Sequence, residues 1–117
     1  MLMFVYGTLR RGECRNSVMD AGQFVGKGLL RGFAMLDLGA FPGIVPSTGD
    51  GVVVGEVYEV GDALVRRLDK IEGVPHLYTR DGAVLDDGRH VEMYVLRRDA
   101  HGCPVIRSGD WFRKEAA

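Results

Sequence analysis

Glu72 is the residue whose type and position point most directly to chemistry. Leu64, Val65, Leu68 and Ile71 recur ahead of it at helical spacing, so the segment from Asp62 is predicted to be an amphipathic helix, with Asp62 as its N-cap and Gly73 and Pro75 ending it. With Leu64 at zero and a step of about 100° per residue, Leu68 falls at about 40°, Val65 at about 100° and Ile71 at about 340°. Glu72 falls at about 80°, inside that apolar arc, and Asp69 at about 140°, on its edge. Glu72 is therefore expected to face the core, provided the helix holds to its last residue. The last turn of a helix carries the negative end of the macrodipole, which disfavours another anion. Partial burial penalises the charged carboxylate as well. Both effects move its pKa towards neutrality, where a general base serves best at pH 7. Against this stands a plain structural role: a small rotation at the helix end would return Glu72 to solvent, and Arg80 could pair with it.

Glu56 and Glu59 compete for the same part. They lie on opposite faces of the strand predicted over Val52–Val60, and a solvent-facing carboxylate is the expectation for both. The second chemical feature is the turn Tyr6-Gly7-Thr8-Leu9, which follows an apolar strand directly. A chain leaving a strand through Gly and Thr can present successive backbone N–H groups, and such a nest binds a carboxylate or an oxyanion. Most turns of this kind only reverse the chain. The sequence has no GxxxxGK[ST], no GxGxxG and no G-x-S-x-G, and its three histidines and two cysteines form no metal-ligand spacing. Cys14 beside Arg15 is read as a buried or bystander thiol, and Trp111 and Phe112 as closing the core rather than lining a pocket.

The elements that must position these groups are short. Strands are predicted over Met1–Tyr6, Gln23–Leu30, Gly32–Leu38 and Val52–Val60, with a hairpin of Leu77–Leu85 and His90–Leu96 around Asp87–Gly88. The first is apolar on both faces and should be covered on both. A short helix is expected over Arg15–Ala21, capped by Asn16 and stopped by Gly22, and Gly39–Gly51 reads as a loop. Ile106–Phe112 forms a C-terminal piece, followed by a tail from Lys114 expected to fray. The order lacks the repeated β-α-β alternation of a doubly wound fold. The fold class is α+β: a small mixed β-barrel of about six short strands, with one or two helices packed outside, as one domain over residues 1–117.

Composition narrows the function. Of 117 residues, 46% are hydrophobic and 26% charged, which is ordinary for a globular protein, and the net charge of −1 offers no basic patch for nucleic acid. The arginine pairs Arg10–Arg11, Arg66–Arg67 and Arg97–Arg98 read as solvated surface charge. No apolar run reaches the length of a membrane span, and Met1–Tyr6 is too short and wrongly flanked for a signal peptide. The expectation is a cytoplasmic protein with free thiols and no membrane partner. Nothing in the sequence sets an oligomeric state.

Together these segments resemble the gamma-glutamylcyclotransferase-like family, in particular gamma-glutamylamine cyclotransferase and the short bacterial members. Phe4-Val5-Tyr6-Gly7-Thr8-Leu9-Arg10-Arg11-Gly12 is similar to the family's opening strand and substrate loop. Leu38-Gly39-Ala40-Phe41-Pro42-Gly43 resembles its glycine–aromatic–proline loop, and Gly55-Glu56-Val57-Tyr58 its central strand. Leu68 to Pro75, followed by Tyr78-Thr79-Arg80, resembles the segment with the catalytic acid, and Ser108-Gly109-Asp110-Trp111 the close of short bacterial members. The resemblance implies a barrel with helices outside it and a reaction needing neither cofactor nor metal. It implies a γ-glutamyl amine or peptide as substrate, whose α-amine attacks its own γ-carbonyl to give 5-oxoproline and a free amine. Tyr6, Gly7, Thr8 and Leu9 would bind the glutamyl group, mainly through the backbone, and Glu72 would be the general base. The alternative is a non-catalytic module of the same fold that binds a small metabolite or a protein partner. A hydrolase acting on the same bond is a lesser variant, separated by its product, glutamate.

Overall fold

The computed structural model describes residues 1–114; the expectation of a frayed tail falls, for residues 115–117, outside the described residues. Strand β1 (Leu2–Val5) is followed by a long turn and a 3₁₀ segment, Asn16–Ala21. Then come β2 (Gln23–Arg31), β3 (Phe33–Asp37), β4 (Pro42–Pro46), β5 (Val52–Glu59), helix α1 (Asp62–Ile71) and the hairpin of β6 (Tyr78–Val84) and β7 (His90–Leu96). A one-turn 3₁₀ helix, Trp111–Arg113, closes the described chain.

Five strands form one mixed sheet in the order β2-β5-β1-β7-β6. β1 sits in its centre, antiparallel to β5 with Met3 opposite Tyr58 and parallel to β7 with Met3 opposite Glu92. As its two-sided apolar pattern requires, β1 is buried on both faces. Phe4 joins a core with Leu30, Val53, Val57 and Met93, which the β3–β4 ribbon caps through Met35 and Ile44. Met3 and Val5 join a second core with Tyr58, Leu64, Val65, Leu68 and Leu96, on the side where α1 packs.

The expected barrel is not what forms: neither sheet is closed. β2 and β6 are the two edges of the larger sheet and do not pair. The turn after β6 reaches β2, where Asp86 N–H donates to the Leu29 carbonyl at 2.9 Å and Arg31 pairs with Asp86 at 2.7 Å. Among the described residues there are seven strands rather than about six. The additional one, β4, lies inside the segment read as a loop, because Pro42 and Pro46 bound it and mask its strand character; a two-stranded ribbon tolerates proline on its outer edge. Two caps also differ. Gly61 is the N-cap of α1, with Asp62 its first residue. Arg15 is the N-cap of the 3₁₀ segment, while Asn16 turns its amide to the Leu9 carbonyl (2.9 Å) and the Tyr58 hydroxyl (3.1 Å). No helix among the described residues is long and apolar enough to cross a membrane.

Candidate active site

The chain leaves β1 into a turn in which three successive carbonyls are taken. Gly7 C=O accepts from Arg10 N–H, Thr8 C=O from Arg15 N–H, and Leu9 C=O from the Asn16 amide, each at 2.9–3.0 Å. The N–H groups of Gly7, Thr8 and Leu9 have no acceptor among the described residues. Three successive free donors make the kind of concave site that holds a carboxylate or an oxyanion. Gly7 is glycine for a steric reason: a Cβ there would lie 2.7 Å from Cγ of Pro42. The turn and the Phe41-Pro42-Gly43 stretch therefore close directly on each other.

A buried ion cluster holds this turn from behind. Arg10 is 4% exposed and donates from Nε to Glu56 (3.3 Å) and from Nη1 to Asp110 (2.7 Å). Glu56, also 4% exposed, accepts from Arg11 N–H through its other oxygen at 2.9 Å. The guanidinium stacks 3.9 Å over the ring of Phe112, and Asp110 caps Phe112 N–H at 3.0 Å. The surface expectation for Arg10, and the solvent-facing expectation for Glu56, are thus overturned. Two carboxylates and an aromatic face replace the water the guanidinium loses. Glu59 does face solvent. Trp111 is buried in the core and donates its indole N–H to Glu13 at 2.7 Å.

Glu72 reaches the same turn from the other side. α1 stops at Ile71, and Glu72 is the C-cap. Gly73 follows in the left-handed region at φ +65°, with its N–H on the Lys70 carbonyl and Val74 N–H on the Asp69 carbonyl. This Schellman pairing fixes the orientation of the helix end and keeps Glu72 from fraying outward. Glu72, Pro42, Tyr78 and Tyr94 complete a cleft whose remaining wall is Phe4 to Leu9 and which opens to solvent. All five predicted site residues (Tyr6, Gly7, Thr8, Leu9 and Glu72) line this one cleft.

Among the described residues the Glu72 carboxylate has no hydrogen-bond partner. Arg80 does not pair with it, being engaged by Asp69 (3.0 Å) and Glu92 (2.9 Å). Burial pushes its pKa up to about 7, against a smaller opposing pull from the Arg15 guanidinium. The surrounding phenols are committed elsewhere. Tyr6 donates to the Tyr94 carbonyl (2.7 Å), Tyr78 to the Pro42 carbonyl (2.7 Å) and Tyr94 to Asp69 (2.8 Å). Burial raises the pKa of all three, and the charge of Glu72 adds to it. They stay neutral near pH 7 and leave Glu72 as the group that titrates. Sequence reading missed Tyr78 and Tyr94 as walls of the cleft; the signal was a tyrosine on each strand of the hairpin, each needing a partner for its hydroxyl if buried.

A free carboxylate titrating near neutrality, beside an array of unpaired backbone donors, can move protons while an oxyanion forms and collapses. The sequence model of the family described as Gamma-glutamyl cyclotransferase, AIG2-like, matches residues 3–113. The chain belongs to this family. A fellow gamma-glutamylcyclotransferase family protein, YtfP of Escherichia coli K12, is 34% identical over 115 residues, 98% of this chain and 99% of the relative. Gamma-glutamylaminecyclotransferase of Rattus norvegicus is 37% identical over 87 residues, 67% of this chain and 58% of that protein. Among solved structures, an AIG2-like protein from Mus musculus superposes with a TM-score of 0.79 at 29% identity, over 88% of this chain and 83% of that one.

Proposed function

We propose that this family member is a γ-glutamyl cyclotransferase, converting a γ-glutamyl amine or peptide to 5-oxoproline and a free amine, with Glu72 as general base and the Tyr6–Leu9 backbone holding the glutamyl group. Glu72 takes one proton from the α-ammonium, freeing the nitrogen's electron pair. That nitrogen attacks the γ-carbonyl, the new C–N bond forms, and the carbonyl π pair moves onto oxygen. The free N–H groups of the turn stabilise this oxyanion. Protonated Glu72 passes its proton to the departing nitrogen, then removes the second proton from the attacking one. The old C–N bond breaks as the carbonyl re-forms, and the amine leaves with the proton Glu72 returns. Glu72 ends as it began, and the sum balances without any co-reactant. Because the attack is intramolecular, holding the glutamyl chain folded supplies much of the rate.

One observation carries this reading: a carboxylate without a hydrogen-bond partner among the described residues, its pKa raised to about 7, lines the same cleft as three backbone donors that likewise have none. The test is 5-oxoproline release from a panel of γ-glutamyl amines and dipeptides, read by mass spectrometry, for wild type and Glu72→Gln. Product that vanishes in a folded Glu72→Gln supports the reading. Normal turnover by that variant ends the assignment of the base. No product from any substrate, with 5-oxoproline still raising the melting temperature, favours the binding module.

A further inference from the structure

Three phenols line the cleft with Glu72, and one of them is held differently from the others. Tyr6 on β1 and Tyr78 on β6 donate to main-chain carbonyls, of Tyr94 and Pro42, which the fold itself fixes. Tyr94 on β7 donates to a side chain, Asp69 Oδ1, at 2.8 Å. Asp69 is held in turn by Arg80, which donates from Nε to the same oxygen (3.0 Å) and from Nη2 to the other (3.3 Å). Arg80 Nη1 donates to Glu92 at 2.9 Å. The series Glu92, Arg80, Asp69, Tyr94 thus ends at the wall of the cleft.

Asp69 stands three residues before Glu72, a spacing that makes side chains neighbours on a helix. The charges of both carboxylates are felt at the Tyr94 phenol. A phenol given to Asp69 leaves Glu72 without a donor. A phenol given to Glu72 would occupy one of its oxygens and favour its charged form. A base whose charged form is favoured takes up a proton less readily. Two cations stand near by: Arg15, in the turn after β1, is felt at Glu72, and Arg98 at Tyr78. Among the described residues neither makes a hydrogen bond to Glu72.

We propose that Asp69 is a positioning residue for the base: by taking the Tyr94 hydroxyl it keeps a hydrogen-bond donor off the Glu72 carboxylate, and Arg80, clamped by Glu92, holds Asp69 in place to do so. The inference deepens the cyclotransferase reading and rests on it for the effect on turnover. The hold of Asp69 on the phenol can be read without turnover.

The Glu72 carboxyl is titrated by NMR in protein carrying carbon-13 in its glutamate carboxyl groups, its signal assigned by its absence from Glu72→Gln. The same variants are assayed for the pH dependence of 5-oxoproline release. Asp69→Ala should move both midpoints down by about one pH unit, because Glu92 still holds Arg80 and the phenol is what is released. Asp69→Leu, which also accepts no hydrogen bond but fills more of the space, serves the same test should Asp69→Ala fold poorly. Asp69→Ala/Tyr94→Phe, which lacks the hydroxyl, should return both midpoints to the wild-type value, and Tyr94→Phe alone should leave them there. Asp69→Asn, whose remaining oxygen can still accept the phenol, should also keep them. A merely structural role for Asp69 would lower the yield of folded protein or the plateau rate and leave the midpoints where they are. Unchanged midpoints in Asp69→Ala therefore overturn the proposal. So does a fall that persists in Asp69→Ala/Tyr94→Phe, since bare charge at position 69 would then be acting on Glu72. If the NMR midpoints move as expected while no substrate yields 5-oxoproline, the cyclotransferase reading falls and the hold of Asp69 on the phenol stands.

Discussion

Glu56 and Glu72 are the same side chain in two opposite situations, on two sides of one turn. Both oxygens of Glu56 are taken, one by Arg11 N–H and one by Arg10 Nε, and Arg10 passes the contact on to Asp110. Glu72 has no such donor among the described residues, and burial raises its pKa to about 7. What a carboxylate near a core does is set by the donors it is given. Where they are supplied it becomes a structural anion that fixes the backbone of the turn. Where they are withheld its charged form is destabilised, and it becomes able to carry protons. On the proposed reading the turn needs both: one glutamate to hold the free N–H groups in place, the other to work beside them.

Exchanging charge for amide separates the two most strongly. Glu72→Gln should lower kcat for 5-oxoproline release by about 10³-fold, while its urea midpoint at pH 7 stays equal to or above that of wild type. A Glu72→Gln protein that loses as much stability as the corresponding change at Glu56 would erase the distinction. Glu56→Gln should cost about 3 kcal/mol in urea unfolding, because Arg10 stays buried with only Asp110 opposite it. A cost below about 1 kcal/mol would mean that the cluster behaves like a surface pair and does not hold the turn.

The contrast was only half legible in the sequence. Glu72 could be placed because helical periodicity is local: four apolar residues within one helix decide which face it shares. Glu56 could not, because β5 is apolar on both faces and alternation alone does not choose between Glu56 and Glu59. Its partners are also remote, Arg10 lying 46 residues from Glu56 and 100 from Asp110. An arginine beside another arginine carries the pattern of a surface residue until such partners are known. That β1 is covered on both faces was legible from its two-sided apolar pattern. Its parallel neighbour β7 was not, since that pairing joins Met3 to Glu92, far along the chain. Closure of the sheet was a matter of edge pairing, which no periodicity encodes.

Stability as a function of pH sharpens the comparison further. The Glu72 pKa is about 7 in the folded protein, against an ordinary value of 4.5. Between those values the folded state binds more protons than the unfolded one, so stability falls as pH rises through that window. The contribution is fully present below about pH 4.5 and lost above about pH 7. Glu72→Gln has no such proton to lose. Its stability relative to wild type should grow from near zero at pH 4 to about 2 kcal/mol at pH 8, allowing for the solvent that reaches a half-buried group. Parallel pH curves for the two proteins would show that Glu72 titrates at its ordinary value, and the basis for its role as base would go. The same ionisation should appear as a rise in kcat/KM centred near pH 7.

The smallest effect asks whether Glu72 is alone. Tyr94 lines the cleft with it, but its hydroxyl is given to Asp69 at 2.8 Å, and Asp69 also holds Arg80 at 3.0 Å. Burial and the bond to Asp69 both raise the phenol's pKa, so it is neutral wherever Glu72 titrates. Tyr94→Phe should therefore cost about 1 kcal/mol of stability, the worth of one hydrogen bond whose acceptor keeps another donor. The midpoint of the kcat/KM pH profile should stay where wild type has it. If that midpoint moves, Tyr94 exchanges a proton or a hydrogen bond with Glu72 during the reaction. Glu72 would then be one half of a pair, closer in kind to Glu56 than its free oxygens suggest.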